Sequence, residues 1–247
     1  MRKDLYGEMY KLEEVYWWHV AKRRLVREML SGRLSGFGRK VYVDCGCGTG
    51  KMLEEMGKWK KWKKVIGLDG ADEALRFCRK RRIKNVIKAD FEKRLPLEDE
   101  SVDLITSLDV VEHIRSDQAL LDEFWRIAKP GGLVVITVPA YQWLWTYWDD
   151  ILKHKRRYRR GGLAEQLRKS GFKVERISYF YSYLLPMAVL FRIVKSLVPN
   201  LKRSSDFVAL PSWANQLLLA LSSAETKVVS RYSIPTGLSV VAVARKK

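Results

Sequence analysis

Cysteine and histidine are scarce in this chain. Its 247 residues contain three of each, and the cysteines are Cys45, Cys47 and Cys78. Three cysteines cannot form the disulfide framework of a small secreted protein, and Cys45 and Cys47 have neither the second cysteine pair nor the neighbouring histidines of a zinc site. We therefore predict no metal site. Because residues 1–5 show no secretory signal, we also predict a cytoplasmic protein.

A long apolar run is missing as well, and acidic residues are in the minority. The apolar stretch at residues 179–191 is shorter than the roughly 20 residues that span a bilayer. It is still able to lie on a membrane surface as an interfacial helix, beside the basic segment at residues 58–64. The 47 Lys and Arg against 28 Asp and Glu give a net charge of +19, which leaves both membrane-surface contact and nucleic-acid binding open.

What the chain does contain is a strand, a tight turn and a helix start within residues 41–50. The β-branched run of this segment ends in Asp44, and three alternating glycines follow. Such glycines allow a sharp turn and the close approach of a ligand to the free N–H groups at the helix start. The pattern is typical of a nucleotide-like cofactor site.

The charge around this loop indicates which ligand it binds. A dinucleotide site has the pattern Gly-x-Gly-x-x-Gly, but here Lys51 stands at the third glycine position. Four predicted strands end in acids, which would repel a pyrophosphate; these acids are Asp44, Asp69, Asp90 and Asp109. An acidic edge suits a ligand with ribose hydroxyls, an adenine amino group and a cationic centre. S-adenosylmethionine has all three, so we favour it over NAD.

Five motifs follow one another in a recognisable order. They are the glycine loop, Val65-Ile66-Gly67-Leu68-Asp69, Lys88-Ala89-Asp90-Phe91, the segment from Leu95 to Ile114, and Lys129-Pro130-Gly131-Gly132 before a strand. On these motifs the chain resembles the class I S-adenosylmethionine-dependent methyltransferases, and among them the methyltransferase type 11/23-like family. The resemblance implies that Asp69 holds the ribose hydroxyls and that Asp90 faces the adenine amino group.

The segment before the first predicted strand resembles the Trp-Trp and Arg-bearing leader of a subfamily found among cell-surface glycan and lipid enzymes. In that resemblance Trp18 covers the cofactor and Arg23 approaches its carboxylate. An aromatic staple that packs this segment on the sheet is the alternative. The full set of implied cofactor-binding residues is Trp18, Arg23, Asp44, Gly46, Cys47, Gly48, Gly50, Asp69, Gly70, Ala89, Asp90, Phe91, Leu108 and His113.

Strand-like and helical segments alternate along the chain, which indicates an α/β fold with βαβ units. We predict a doubly wound, mostly parallel seven-stranded Rossmann-like sheet. Its strands are expected near 41–45, 65–69, 85–89, 102–108, 133–138, 173–180 and 237–245, and helices near 50–58, 71–82 and 116–128. One domain is expected over residues 1–247, with an N-terminal helical cap (1–38), a cofactor-binding core (39–180), a helical insertion or lid (181–235) and the last strand (236–247).

A loop rich in aromatic and basic residues follows the fifth predicted strand. It leaves the sheet edge at which α/β folds bind ligands, so we expect it to form the acceptor pocket. Its predicted substrate-binding residues are Tyr141, Trp145, Arg157 and Tyr158. The same composition also suits base stacking and phosphate binding by RNA, or a solvated charged turn.

The mechanism is expected to depend mainly on alignment, because the sulfonium already makes the methyl group electrophilic. An oxygen or nitrogen nucleophile also needs a proton acceptor, for which His113, Asp149 and His154 are the catalytic candidates, although a lone histidine is more often structural. We expect a methyltransferase that acts on an O, N or C nucleophile of a small-molecule, lipid-linked or glycan-linked acceptor. The alternatives are an RNA or protein methyltransferase and a non-catalytic cofactor-binding partner at a membrane surface. The oligomeric state stays open.

Overall fold

A computed structural model describes residues 5–34, 39–197 and 210–247, and its strands form one mixed seven-stranded sheet. The strands are β1 (Val41–Cys45), β2 (Lys64–Asp69), β3 (Val86–Lys88), β4 (Val102–Leu108), β5 (Ala128–Pro139), β6 (Phe172–Phe180) and β7 (Ser239–Lys246). Their order is β3-β2-β1-β4-β5-β7-β6, and β7 is antiparallel to both of its neighbours. The strand order reverses between β1 and β4, so the carboxyl ends of these strands border the crevice in which open α/β sheets bind ligands.

Helices cover both faces of the sheet. They are α1 (Leu5–Val15), α2 (Trp17–Leu30), α3 (Lys51–Trp59), α4 (Asp72–Lys80), α5 (Asp117–Ile127), α6 (Tyr147–Leu152), α7 (Arg160–Lys169), α8 (Leu185–Leu197) and α9 (Ser212–Arg231). Successive strand residues point to opposite faces. Val43 therefore packs in one core cluster with α5 and α7, whereas Tyr42 packs in another with α2, α3 and α4. Both residues are fully buried, as expected for a sheet covered on two sides.

The N-terminal helix α2 packs on α9, the helix that precedes β7. Asn215, at the start of α9, accepts the N–H of Trp17 through Oδ1 at 2.9 Å and donates from Nδ2 to the Val15 carbonyl at 3.0 Å. Further along the same pair of helices, Arg24 Nη1 donates to Ser223 Oγ at 3.1 Å. The predicted cap and the described part of the predicted lid therefore pack against each other.

The predicted fold class is confirmed, and most bounds agree with the sequence predictions to within two residues. The exception is β5, which begins at Ala128 instead of near residue 133. Ala128 pairs with Val102, and after a register shift the ladder continues with Leu104 opposite Leu133. The predicted boundary of the cap at residue 38 and the middle of the predicted lid, residues 198–209, lie outside the described residues.

Helices α8 and α9 present large apolar side chains to solvent. These side chains are between 47% and 70% exposed, and they are Met187, Leu190, Phe191, Trp213 and Leu217. Within the described part of the chain, no helix combines the length and the apolar character required of a membrane span.

Candidate active site

The turn after β1 is held by β2 and touches the turn after β4. The N–H of Gly46 donates to the Leu68 carbonyl at 2.8 Å, and the N–H of Gly48 donates to Asp69 Oδ2 at 2.9 Å. Gly46 has a φ of 77°, and a Cβ at this position would lie 2.2 Å from Cγ2 of Val110. Only glycine fits both the conformation and the space. The predicted cofactor loop is therefore in direct contact with the end of β4.

The remaining predicted residues of this loop are Cys47 and Gly50. The N–H of Cys47 donates to the Leu68 carbonyl at 2.9 Å, and its buried Sγ lies 3.8 Å from Sγ of Cys78 on α4. Gly50 precedes α3 with a φ of 88°, and a Cβ there would lie 2.9 Å from Cys78 Sγ. The small residues of the loop thus allow it to pack closely on α4.

Asp69, at the end of β2, organises the loop and retains acceptor capacity for a ligand. Its Oδ1 accepts the N–H of Ala71 at 2.9 Å, while Oδ2 accepts the N–H of Gly48. A carboxylate has about four acceptor positions, so about two remain for the hydroxyls of a ribose. Burial raises the pKa of Asp69 above its usual range, and additional hydroxyl donors would stabilise its ionised form.

The turn after β3 forms the neighbouring wall. Ala89 is buried, its N–H donates to the Asp69 carbonyl at 3.0 Å, and a Cβ at Gly70 would lie 3.4 Å from the Ala89 carbonyl oxygen. Asp90 is exposed and accepts a backbone N–H through Oδ1 at 3.1 Å, while Phe91 is half-buried. We expect the adenine amino group to reach Asp90 at this wall.

Asp44 lies at the end of β1 and is almost completely buried. Its Oδ1 accepts the hydroxyl of Thr106 at 2.6 Å, and the Thr106 hydroxyl lies 2.7 Å from the hydroxyl of Tyr42. Burial raises the pKa of Asp44 to about 7, because one hydrogen bond does not replace the lost hydration of the ionised form. A carboxylate in this position is costly unless a ligand compensates its charge.

Helix α1 lies over the glycine loop, a contact that the sequence analysis missed. A Cβ at Gly48 would lie 2.8 Å from Cε of Met9, and the Thr49 hydroxyl donates to the buried carboxylate of Glu13. Arg81, after α4, joins both parts: Nη2 donates to Glu13 Oε1 at 2.8 Å, and Nε donates to the Thr49 carbonyl at 3.0 Å. Glu13 and Arg81 are distant in sequence, so no local sequence pattern predicts that α1 lies over the glycine loop.

Trp18 and Arg23, the two predicted contacts of the leader, have protein partners. The ring of Trp18 stacks on Tyr181 with centroids 4.0 Å apart and an interplanar angle of 20°. Arg23 is buried, and its Nε donates to Glu55 Oε1 at 2.8 Å. Trp18 thus makes the kind of aromatic packing contact that was the alternative to cofactor contact, and the cofactor role of both residues stays a prediction.

The acid at the end of β4 is paired with a lysine of the leader. Asp109, which follows the half-buried Leu108, accepts the Thr137 hydroxyl at 2.9 Å and forms an ion pair with Lys22 of α2. Burial acts to raise the pKa of Asp109, but Lys22 and Thr137 outweigh it and hold the pKa below its usual range. Lys22 is itself buried; sequence analysis missed it because a lysine in a basic helix is usually solvated.

The three catalytic candidates come together beyond the end of β4. The ring centroids of His113 and His154 are 4.7 Å apart, with the rings at 71°. Nδ1 of His154 lies 2.7 Å from Oδ1 of Asp149. Burial, together with the neighbouring His154, lowers the pKa of His113 to about 4. His113 is therefore neutral at pH 7.

Asp149 accepts hydrogen bonds from several directions. Arg157 donates to it twice, from Nε and from Nη2, each at 2.8 Å. The N–H and the hydroxyl of Thr146 donate at 2.7 and 3.0 Å and cap α6. Burial favours the protonated carboxyl, but His154 and Arg157 outweigh it and hold the pKa of Asp149 far below its usual range.

The other predicted substrate-binding residues differ in burial and in the groups that they contact. Tyr158 is buried, and its hydroxyl donates to Asp117 Oδ2 at 2.8 Å within the core. The ring of Tyr141 stacks on Tyr179 with centroids 4.9 Å apart. Trp145 is half-buried, and its Nε1 donates to a carboxylate of α6 at 3.0 Å. The Tyr158 hydroxyl is thus already used inside the protein, whereas Tyr141 and Trp145 lie nearer the surface.

Comparison with known proteins agrees with this geometry. Residues 43–136 match the model of a family described as "Methyltransferase domain". A protein of Mycolicibacterium smegmatis named "Probable S-adenosylmethionine-dependent methyltransferase" is 28% identical over 165 residues, 66% of this chain and 62% of that protein. The ubiquinone biosynthesis O-methyltransferase of Klebsiella pneumoniae is 30% identical over 139 residues, 53% of this chain and 52% of the relative. The chain thus spans between half and two thirds of these relatives.

The fold has solved counterparts too. A SAM-dependent methyltransferase from Thermotoga maritima superposes with a TM-score of 0.60 at 17% identity, over 99% of this chain and 97% of that one. Strand order, glycine loop, strand-end acids and sequence relatives lead to the same assignment. Residues 43–136 match a methyltransferase domain, and this part of the chain is similar to relatives that are named as S-adenosylmethionine-dependent methyltransferases.

Proposed function

We propose that this protein transfers a methyl group from S-adenosylmethionine to an O, N or C nucleophile of a small-molecule, lipid-linked or glycan-linked acceptor. The observation that carries the proposal is the contact between Gly46 and Val110. Val110 lies in the same short turn as His113, whose ring packs against His154. The cofactor loop therefore contacts the same turn that carries one of the candidate proton acceptors, which supports a common site for the cofactor and the acceptor. The O-methyltransferase named among the relatives supports an oxygen nucleophile.

The bound cofactor supplies the electrophilic methyl group, so the residues of this chain mainly orient the acceptor and accept a proton. Asp149 Oδ1 faces Nδ1 of His154, which favours the tautomer with the proton on Nδ1 and a lone pair on Nε2. Arg157 further fixes Asp149. We assign Asp149 the positioning of His154, because a carboxylate with so low a pKa is a poor proton acceptor. His113, whose pKa is lowered to about 4, is a weak proton acceptor for the same reason, so we propose His154 as the proton acceptor.

The surface of α8 and α9 favours a lipid-linked acceptor within this class. Met187 and Leu190 on α8 and Trp213 and Leu217 on α9 are each more than half exposed. A contiguous patch of exposed apolar side chains marks a contact surface for apolar ligands or membranes, and we propose that these residues form one. α9 packs on α2, which carries Trp18 and Lys22 at the crevice. An acceptor with a lipid tail would thus have an apolar surface connected to the site of transfer.

The test combines cofactor titration with acceptor identification. Calorimetric titration should show one S-adenosylmethionine site per chain in the wild-type protein and weaker binding in Asp69→Asn, with Asp122→Asn, an exposed carboxylate on α5, as the matched control. Cofactor labelled in its methyl group is then incubated with protein and cell extract. Label that enters the organic phase and depends on His154 supports the proposal.

Two outcomes contradict it. Label that is lost on nuclease treatment would assign the positive charge of the chain to RNA binding, and that binding should also fall steeply with added salt. A protein that binds the cofactor but yields no labelled product, in extracts in which a known methyltransferase does yield one, would instead have a non-catalytic role. The fold by itself does not establish turnover.

A further inference from the structure

Glu112 has a completely buried carboxylate that accepts no hydrogen bond. Neither Oε1 nor Oε2 has a partner, and the side chain is inaccessible to solvent. The nearest cationic candidate is Nε2 of His154, 3.9 Å from Oε1. Burial of a carboxylate without hydrogen bonds or a counter-charge is expensive, and buried polar groups of native proteins are nearly always paired. Glu112 therefore points to a partner that binds from outside the chain.

The neighbouring carboxylates already have their own cations. Asp109 is paired with Lys22, and Asp149 is held by both nitrogens of Arg157 that face it. Within this group of three acids, Glu112 is the one whose oxygens no cationic side chain contacts. The cluster thus offers an incoming cation one buried carboxyl group that no cationic side chain contacts.

Two imidazoles flank that carboxylate and are oriented for ligation. One ligand atom each from Glu112, His113 and His154 lie within 4.8 Å of one another. Nδ1 of His154 lies 2.7 Å from Oδ1 of Asp149. The other ring nitrogen, Nε2, faces Glu112 at 3.9 Å from Oε1. Histidines that bind metals almost always donate their second nitrogen to a carboxylate or a backbone carbonyl, and His154 has such a carboxylate in Asp149.

We propose that Glu112, His113 and His154 bind a divalent transition-metal cation of the zinc, manganese or iron type. Two imidazoles and one carboxylate are a common ligand set for such ions, whereas magnesium and calcium prefer all-oxygen sites. Bonds of about 2.0 to 2.2 Å bring ligand atoms to within roughly 3 to 4 Å of each other. Small side-chain rotations from the observed 4.8 Å separation close the site. No metal site was predicted from the sequence, because only the cysteines were considered as ligands.

The chemistry of the cation rests on the function proposed above. Three protein ligands leave coordination positions open for an oxygen of the acceptor. An acceptor hydroxyl bound there has a lowered pKa and loses its proton to water, so in the metal-bound protein the cation replaces His154 in activating the hydroxyl. Its oxygen then forms the new bond to the methyl carbon as the carbon–sulfur bond breaks, and the electron pair of that bond stays on sulfur. The products are a methyl ether and S-adenosylhomocysteine.

The experiment measures metal binding separately from methyl transfer. Protein stripped with a chelator is titrated with Zn²⁺, Mn²⁺ and Co²⁺ by calorimetry, and the visible absorption of bound Co²⁺ reports the ligand geometry. We expect one site per chain and about 100-fold weaker binding in Glu112→Gln and His154→Gln. Glu92→Gln is the matched control, since Glu92 is an exposed carboxylate that accepts the N–H of Arg115 and should leave binding unchanged.

Thermal unfolding shows whether a variant loses metal binding because it misfolds. Glu112→Gln replaces a buried carboxyl group that accepts no hydrogen bond with an amide of the same size. The metal-free variant should therefore be about as stable as the metal-free wild type while losing the metal-dependent rise in Tm. Unchanged binding in Glu112→Gln would overturn the proposal, as would millimolar binding in the wild type. Titration of S-adenosylmethionine into the same samples separates the two proposals, because loss of cofactor binding with intact metal binding contradicts only the proposed function.

Discussion

The replacement Asp44→Asn should stabilise the protein in a way that depends on pH. Burial raises the pKa of Asp44 to about 7, whereas an unfolded aspartate has a pKa of about 3.9. The difference of about 3 pKa units corresponds to about 4 kcal/mol, an order-of-magnitude figure. Asparagine keeps an acceptor oxygen for the Thr106 hydroxyl, which now donates to Asp44 at 2.6 Å, and it carries no charge.

The sign follows from proton binding in the two states. Between pH 4 and 7 the folded state holds a proton on Asp44 that the unfolded state has released, so the stability of the wild type falls as pH rises and levels off above pH 7. The variant lacks this loss. We therefore expect the wild type and Asp44→Asn to have nearly equal free energies of unfolding at pH 4. At pH 8 the variant should be more stable than the wild type by about 4 kcal/mol.

Urea unfolding at pH 4.5, 6 and 8, without cofactor, measures the effect. Asp103→Asn is the matched control of opposite sign: although burial opposes it, Lys129 at 2.7 Å and the N–H of Val41 at 2.8 Å hold the pKa of Asp103 below its usual range. That variant should lose stability at pH 8 and approach the wild type as pH falls. A difference between Asp44→Asn and wild type that is the same at pH 4.5 and pH 8 would refute the reasoning.

Three further predictions concern the ion pairs and the cofactor site. Asp69→Ala should weaken S-adenosylmethionine binding by about 1–3 kcal/mol in calorimetric titration, because ribose hydroxyls lose their acceptor; unchanged affinity would contradict the assignment of β2. Arg81→Met leaves the buried Glu13 without its cation, so we expect a loss of about 3 kcal/mol in urea unfolding, and faster cofactor association in stopped-flow measurements as α1 loosens. Asp149→Asn should cost a similar amount by removing the charge partner of Arg157, and a second change, Arg157→Met, should add less than it costs alone if the pair acts as a unit.

The sheet could be predicted from sequence because its signals are local. Each of the central strands is an apolar run followed by an acid, and glycines mark the turn after β1, so strand positions and the acids at their ends follow from residues a few positions apart. The histidine cluster could be predicted only as a list of residue types. It is assembled by contacts between distant segments, such as the N–H of Lys155 that donates to the Glu112 carbonyl at 2.7 Å. No local pattern specifies that pairing, and the same is true of Glu13 and Arg81 across the glycine loop.

Two buried carboxylates make the strongest physical case for where ligands bind. In a chain with a net charge of +19, buried acids such as Glu13 and Asp149 have basic partners, Arg81 and Arg157 respectively. Asp44 has one hydroxyl donor and Glu112 has no donor at all. For stability alone, amides at both positions would avoid the cost of an uncompensated charge. Asp44 lies at the end of β1 and Glu112 in the turn after β4, and these strands are neighbours in the sheet. The free-energy cost of burying both acids therefore falls at one edge of the sheet. A cationic sulfonium near one and a metal cation at the other would offset them, and the two proposals thus share one electrostatic origin.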